Sequence, residues 1–266
     1  MINSHIIQLL APKIQTFPSG KEFIHLVGPI KLPVNLDGKT RTFQWYSWLK
    51  TDKAMESGEL IASLAGAELA ERQQSSVLVY GDFAEAQDAL IRMHSICHTG
   101  DIFGSKRCDC GFQLEQSMKM IAAHGAGALF YLANHEGRGI GLFSKAMAYI
   151  LQEEGLDTVD ANLQLGFTDD ARNYDDAIAV LRALRSAPVT LITNNPRKLA
   201  ALQEAGLNVG GRVPLWGDRS AFNEKYLQTK VNRSGHLAEA DGWGDTEAEA
   251  RISHAQGDAR IPHAQA

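Results

Sequence analysis

The 266-residue chain is 44% hydrophobic and 21% charged, the proportions of a soluble globular protein, and is long enough for one sizeable domain or two small ones. Its net charge of −5 argues against a general nucleic-acid binder, and its longest apolar run, 126–133, is broken by Gly127 and too short to span a bilayer. The first residues have neither a basic start nor a long apolar stretch, so no signal peptide is readable and a cytoplasmic location is expected.

Residues 1–20 read as a loosely structured lead-in. From Glu22, β-type runs follow at 23–27, 40–48, 76–80 and 89–96, separated by Gly and Pro. The period then changes. Leu114, Met118, Ile121 and Ala122 share one helical face, and Gly125 supplies a stop. A buried strand at 128–132 precedes a second stripe of Phe143, Ala146, Met147, Ile150 and Leu151, closed by Gly155. Ala177, Val180, Leu181 and Leu184 form a third stripe, 189–192 another strand, and 196–205 a fourth helix ending at Gly206. The expected fold is mixed, α+β or α/β, with one domain over 21–237. Its β-rich, antiparallel N-terminal half precedes an alternating α/β half. From 238 to 266 apolar periodicity is lost and six acids face two bases, which predicts a disordered acidic tail.

Three cysteines, Cys97, Cys108 and Cys110, fall within fourteen residues. An odd number is poor material for a disulfide framework. Three thiolates with no fourth cysteine are the mark of a zinc site that keeps a water, whose pKa zinc lowers to about 7. Spacing alone leaves two other readings open: a structural zinc closed by His94 or His98, and three cysteines acting as small hydrophobes. Further on, Asn195 is a good N-cap, Pro196 suits the first helical position, and Lys198 adds a cation in the first turn, which together suit a phosphate.

Several segments taken in order carry a resemblance. They are Arg92-Met-His-Ser-Ile-Cys97-His-Thr-Gly-Asp101, Arg107-Cys-Asp-Cys-Gly-Phe-Gln-Leu-Glu115, His135-Glu-Gly-Arg138, Ala161-Asn-Leu-Gln-Leu-Gly-Phe167, Asp170 with Arg172, and Thr193-Asn-Asn-Pro-Arg-Lys198. Asn223-Glu-Lys-Tyr-Leu-Gln-Thr-Lys230 and Gly235-His-Leu237 complete the series. Over about residues 80–237, and more weakly from about 20, the chain resembles the GTP cyclohydrolase II family. The resemblance implies a zinc-dependent hydrolase that opens the guanine imidazole ring of GTP at the entry to riboflavin synthesis. C8 leaves as formate, pyrophosphate is removed, and the product is 2,5-diamino-6-(ribosylamino)-4(3H)-pyrimidinone 5′-phosphate.

By the same resemblance Cys97, Cys108 and Cys110 hold one zinc ion per chain, and Mg2+ accompanies the triphosphate. Arg172 is implied as the nucleophile at the α-phosphate, Asp170 as the base that takes its proton, and Tyr149 as a participant in the hydrolysis. A base is needed because arginine otherwise stays protonated. Arg92, His94, Ser95, Gln113, Glu136, Gly137, Arg138, Thr158, Thr193 and Lys198 are implied to surround the nucleotide. A homodimer is implied as well, with no nucleic-acid or membrane partner. Only 96 residues precede Cys97, so no dihydroxybutanone-phosphate synthase domain is expected. The chain departs from the family pattern at Ile96, where glutamate is usual, at Ala171 and Met147, and by an extra residue between Tyr131 and Glu136. Two other functions stand beside this one: a paralogue that uses another purine or pyrimidine or stops at the ring-opened formamide, and a non-catalytic nucleotide-binding zinc protein.

Overall fold

The period-two and period-3.6 segments meet in one eight-stranded mixed sheet in the computed structural model, which describes residues 2–238. Three long antiparallel passes open it: β1 (Ile14–Ser19), β2 (Glu22–Leu36) and β3 (Lys39–Thr51), followed by β4 (Ser76–Tyr80). The second half supplies β5 (Leu90–Ser95), β6 (Gly127–Leu132), β7 (Val189–Ile192) and β8 (Val209–Val213). The spatial order is β1-β2-β3-β4-β6-β5-β7-β8; pairing is antiparallel up to β4·β6 and parallel from β6 onward. The expected antiparallel half and alternating half are therefore two sides of one sheet.

Alternation along the central strands sorts side chains between two cores. Ile91 and Met93 of β5 and Ala128, Phe130 and Leu132 of β6 enter one core. There they meet Ala177, Ile178, Val180 and Leu181 of α6 (Asp175–Leu184) and Leu202 of α7 (Pro196–Glu204). Leu90 and Leu129 point the other way, onto Ile121, Leu114 and Met118 of α3 (Cys110–His124). The same alternation places Arg92 and His94 on the α3 side of a strand whose opposite face carries Ile91 and Met93. A third, smaller cluster joins Ala148 of α4 (Leu142–Glu153) to Ala161 of α5 (Thr158–Gln164) and to Ile140.

The four parallel strands all end on the same edge of the sheet. Beyond them lie the Cys97 turn after β5, the Ala133–Arg138 turn after β6, the Thr193–Asn195 turn after β7 and the Leu215–Trp216 segment after β8. In open α/β sheets this is where ligands bind.

Some elements differ from the expectation. Within 1–20, the segment read as loosely structured, lie α1 (Ser4–Leu10), whose N-cap Asn3 accepts from the His5 N–H, and β1, zipped onto β2 from Ile14↔Val27 to Ser19↔Glu22. Pairing with β2 rather than an apolar stripe creates this structure. The short helix α2 (Ser57–Ser63), β8 with its Gly210–Gly211 pair, and α8 (Glu224–Asn232) also lie outside the predicted elements. The predicted acidic tail falls on 239–266, outside the described residues. Among the described residues no helix is long and apolar enough to cross a membrane.

Candidate active site at the carboxyl ends of the parallel strands

Cys97 follows β5, and Cys110 opens α3, with Cys108 one turn before it. Their sulfur atoms all lie within 4.8 Å of one another, and Cys97 and Cys108 Sγ are 3.6 Å apart. Two thiolates on a tetrahedral zinc, with bonds of about 2.3 Å, would sit about 3.8 Å apart. The donor set thus fits a zinc ion. Gly100 keeps the cradle open: a Cβ there would lie 2.8 Å from Cys108 Sγ and 3.2 Å from Cys97 Sγ. Hydrogen bonds from Cys108 and Cys110 draw the Cys97 thiol down, against burial, and the Lys145 charge adds to that pull. The same contacts and burial push the Cys110 thiol up.

The turn that carries Cys97 is fixed by Asp101. Its carboxylate accepts from the Cys97 N–H (3.0 Å), Tyr131 Oη (3.0 Å) and His94 Nε2 (3.1 Å). His94 is almost fully buried, and its Nδ1 has no hydrogen-bond partner. Glu136 is equally buried and is held by Lys145 Nζ (2.6 Å), the His98 N–H (2.7 Å) and its neighbour Gly137 (3.1 Å). Lys145 also reaches Cys97 Sγ at 3.2 Å. Burial opposes its charge, but Cys97, Tyr149 and Glu136 outweigh burial and hold the ammonium form. Gly137 and Arg138 both sit at positive φ, 60° and 67°. For arginine this is a sparsely populated conformation, of the kind that clusters at functional sites.

Tyr149 packs under Arg107, whose guanidinium carbon lies 4.2 Å from the ring centroid, and its Oη is 3.3 Å from Thr99 Oγ1. Thr158 begins α5, N-capped by the Asp157 side chain. Cys97, Cys108, Cys110, Glu136, Gly137, Arg138, Tyr149, Thr158 and Arg172 line one cavity, with Ile96 beside them.

An adjoining cavity is lined by Arg92, His94, Ser95, Gln113, Thr193 and Lys198, again with Cys110 and Arg172. Arg92 donates to the Ile192 carbonyl (3.0 Å) and to Gln113 Oε1 (2.5 Å); Lys198 donates to the Met93 carbonyl (2.6 Å). Among the described residues neither cation has a carboxylate within 4 Å. Burial, followed by the charges of Arg92, Arg172 and Lys230, drives the Lys198 ammonium far down. Asn195 caps α7 by accepting from the Arg197 N–H, and Thr193 Oγ1 accepts from the Asn195 N–H. The expected phosphate turn is thus built as a capped helix start with a buried lysine behind it.

Asp170 is the one singled-out residue that lines neither cavity. It stands behind Arg172 as a two-point clamp: Arg172 Nε donates to Oδ1 at 2.7 Å and Nη2 to Oδ2 at 2.6 Å. Burial would raise the Asp170 carboxyl, but Arg172 prevails and lowers it to about 2. The remaining nitrogen, Nη1, donates to Ser95 Oγ at 3.3 Å, and Ser95 Oγ lies 3.2 Å from His135 Nδ1. His135 Nε2 in turn lies 2.7 Å from the Asn173 carbonyl oxygen, so its proton sits on Nε2 and Nδ1 accepts from Ser95.

With this geometry in place, comparison with known proteins is decisive. A model of GTP cyclohydrolase II matches residues 59–214. The chain belongs to the GTP cyclohydrolase II family. It is 52% identical over 160 residues to the riboflavin biosynthesis protein RibBA of Bacillus subtilis, an overlap of 60% of this chain and 40% of that protein. To RibBA of Chlamydia trachomatis it is 50% identical over 176 residues, 66% of this chain and 42% of the other. To the riboflavin biosynthesis protein VVA0006 of Vibrio vulnificus it is 49% identical over 170 residues, 64% and 46%. The chain thus spans less than half the length of these curated relatives.

The GTP cyclohydrolase II cavities contain side chains that the sequence reading passed over. Lys145 is a lone cation within the α4 stripe that also brings Ala148, Tyr149 and Gln152 to the cavity, a spacing that could have marked it. Asp109, almost fully buried, pairs with Lys230 of α8 and accepts from Gln113 Nε2 at 2.7 Å. His135, Tyr226 and His236 stand in segments that carry the family resemblance, but the sequence gives them no role; the fold brings them to one cavity.

Proposed function

We propose that this chain catalyses the GTP cyclohydrolase II reaction on GTP, releasing formate and pyrophosphate and leaving the diaminopyrimidinone nucleotide that opens riboflavin synthesis. The observation that carries the reading is the junction of a three-thiol cavity with a cavity of uncompensated cations, Arg172 standing between them. A zinc ion held by Cys97, Cys108 and Cys110 would supply Lewis acidity and an activated water at guanine C8. Arg92 and Lys198, buried without carboxylates, supply the charge that receives the phosphates, with Mg2+ as counter-ion. Asp170 binds two of the three Arg172 nitrogens and aligns Nη1 toward the cavity side. As Nη1 bonds to the α-phosphorus and pyrophosphate leaves, the guanidinium would pass a proton from this fork to Asp170, and water would then cleave the nitrogen–phosphorus bond and restore Arg172. Arg138 and Thr158 border the nucleotide, and Tyr149, held by Arg107 and Thr99, offers its hydroxyl beside the thiols.

A narrower base preference is favoured by one observation. Ile96 offers no acceptor, and the Glu136 carboxylate already receives Lys145, His98 and Gly137. Guanine presents donors at N1 and N2, whereas a purine without the 2-amino group presents fewer. Incubating purified protein with GTP and with ITP, and following formate, pyrophosphate and the pyrimidine, tests both readings. Formate from GTP upholds the first; formate from ITP alone, or a product that retains the formyl group, replaces it with a paralogue. Nucleotide binding with no turnover of either leaves a binding protein. A homodimer is supported by the exposed stripe Phe143, Met147 and Ile150 on α4, apolar surface that a second copy would cover. A monomeric mass by sedimentation equilibrium would remove that part.

A further inference from the structure

The two cavities share six lining side chains: Ser95, Cys110, Arg172, Tyr226, Lys230 and His236. If the base lies at the thiols and the phosphates at the buried cations, this shared wall faces the sugar that joins them. Ribose hydroxyls donate, and an enclosed one needs an acceptor. Arg172 and Lys230 only donate. Cys110 belongs to the thiol cluster, Tyr226 Oη lies 3.9 Å from its sulfur, and Ser95 Oγ is taken up between Arg172 and His135.

His236 differs from the other five. Its Nδ1 lies 3.1 Å from the Lys230 carbonyl oxygen, which places the ring proton there and leaves Nε2 as a bare acceptor without a protein partner among the described residues. Its backbone is tied on both sides: the His236 N–H donates to the Lys230 carbonyl (3.0 Å) and the Leu237 N–H to that of Asn194 (2.9 Å). The second bond fastens the segment to the phosphate turn, while the buried Lys230–Asp109 pair fastens α8 to the thiol segment. Burial, with the charges of Lys230, Lys198, Arg172 and Arg138 around it, lowers the ring to about 2, so it is neutral at physiological pH. His236 and Lys230 themselves lie beyond residue 214, where the family match ends.

We propose that His236 determines specificity for the sugar, its Nε2 accepting a hydrogen bond from a ribose hydroxyl of the bound nucleoside triphosphate. The inference rests on the proposed function. Stopped-flow tryptophan fluorescence, read before turnover, gives Kd for GTP, 2′-deoxyGTP and 3′-deoxyGTP with the zinc-loaded wild type, His236→Ala and His236→Gln. One hydrogen bond is worth about tenfold in affinity. The wild type should bind one of the two deoxy analogues about tenfold more weakly than GTP. His236→Ala should lose that factor for GTP and no longer discriminate. His236→Gln, whose amide oxygen still accepts, should keep part of it. If the alanine variant loses zinc or thermal stability, the glutamine variant and the analogue comparison in the wild type decide. Discrimination that persists in His236→Ala, an equal loss for all three nucleotides, or a wild type indifferent to both deoxy analogues overturns the assignment. A wild type that does not bind GTP overturns the proposed function and this inference together, whereas normal GTP binding with an unchanged alanine variant overturns this inference alone.

Discussion

The two cavities are built on opposite electrostatic plans. Around the thiols the buried charges are matched: Glu136 with Lys145 at 2.6 Å, and Asp109 with Lys230. Next door Arg92 and Lys198 are buried against carbonyl and amide oxygens only. A buried cation without a counter-charge costs several kcal/mol unless something neutralises it. The first cavity is charge-balanced as folded, whereas the second holds cations with no carboxylate against them, and on the proposed function that imbalance is what would draw an anion.

The largest effects should come from residues at which chemistry, rather than stability, is lost. Cys108→Ser replaces a thiolate by a weak zinc donor and should abolish formate release and zinc retention, while some pyrophosphate is still formed. Arg172→Lys keeps the charge but loses both the Asp170 fork and the nitrogen aimed at Ser95. Pyrophosphate release should fall at least about a hundredfold with zinc still bound, since each 1.36 kcal/mol of lost transition-state stabilisation is tenfold in rate. Substantial pyrophosphate from the lysine variant would reduce Arg172 to an electrostatic clamp. Parallel loss of both products in both variants would break the division between the cavities.

Two lysines test the contrast more directly. Lys145→Met strands Glu136 as an unpaired buried carboxylate and should destabilise the protein by about 3 kcal/mol, read from urea unfolding. Lys198→Met removes a buried amine that has no carboxylate partner among the described residues. It should leave the nucleotide-free protein unchanged or more stable by about 1 kcal/mol, while GTP affinity falls more than about tenfold. Equal destabilisation by both substitutions would show that the cation cavity is as well compensated as the thiol cavity.

How far the sequence revealed this contrast depended on distance along the chain. The thiols are legible because Cys97, Cys108 and Cys110 lie close together and sulfur has few other uses in such a cluster. The capped start of α7 is legible because a cap, a proline and a lysine are local in sequence. Compensation is not, since Lys145 meets Glu136 across a turn with inverted φ, and Lys230 meets Asp109 across 121 positions. Only the fold brings these partners together. The same applies to secondary structure: β5 and β6 are apolar enough to declare themselves, whereas β1 exists because β2 pairs with it and α5 because Asp157 caps it. Glu136 reads in sequence as a carboxylate available to a guanine edge; in the fold it is engaged on both oxygens.

The smallest expected effect at neutral pH belongs to His135, which joins the two plans through Ser95 and Arg172. Burial, followed by the charges of Arg172 and Lys198, lowers its pKa from 6.5 to about 4, although the Asn173 carbonyl opposes this. A histidine depressed in the folded state resists a proton that the unfolded chain accepts. Its contribution is therefore full above pH 6.5 and is lost as pH falls toward 4, by up to about 3 kcal/mol. His25, His94 and His236 are lowered too, so the whole protein's stability slopes the same way over this window. Asp170 loses its contribution only below 3.8, as pH approaches about 2, and does not overlap it. His135→Gln isolates the ring, because the glutamine amide can still donate to Asn173 and accept from Ser95 but cannot titrate. Urea unfolding at steps between pH 7 and 4 should give a shallower slope for the variant, with similar stability at pH 7. Equal slopes would mean that His135 takes up its proton in the folded protein at the same pH as in the unfolded chain; its Nδ1 would then become a donor below pH 6.5, and the chain from Arg172 through Ser95 would have to run the other way there.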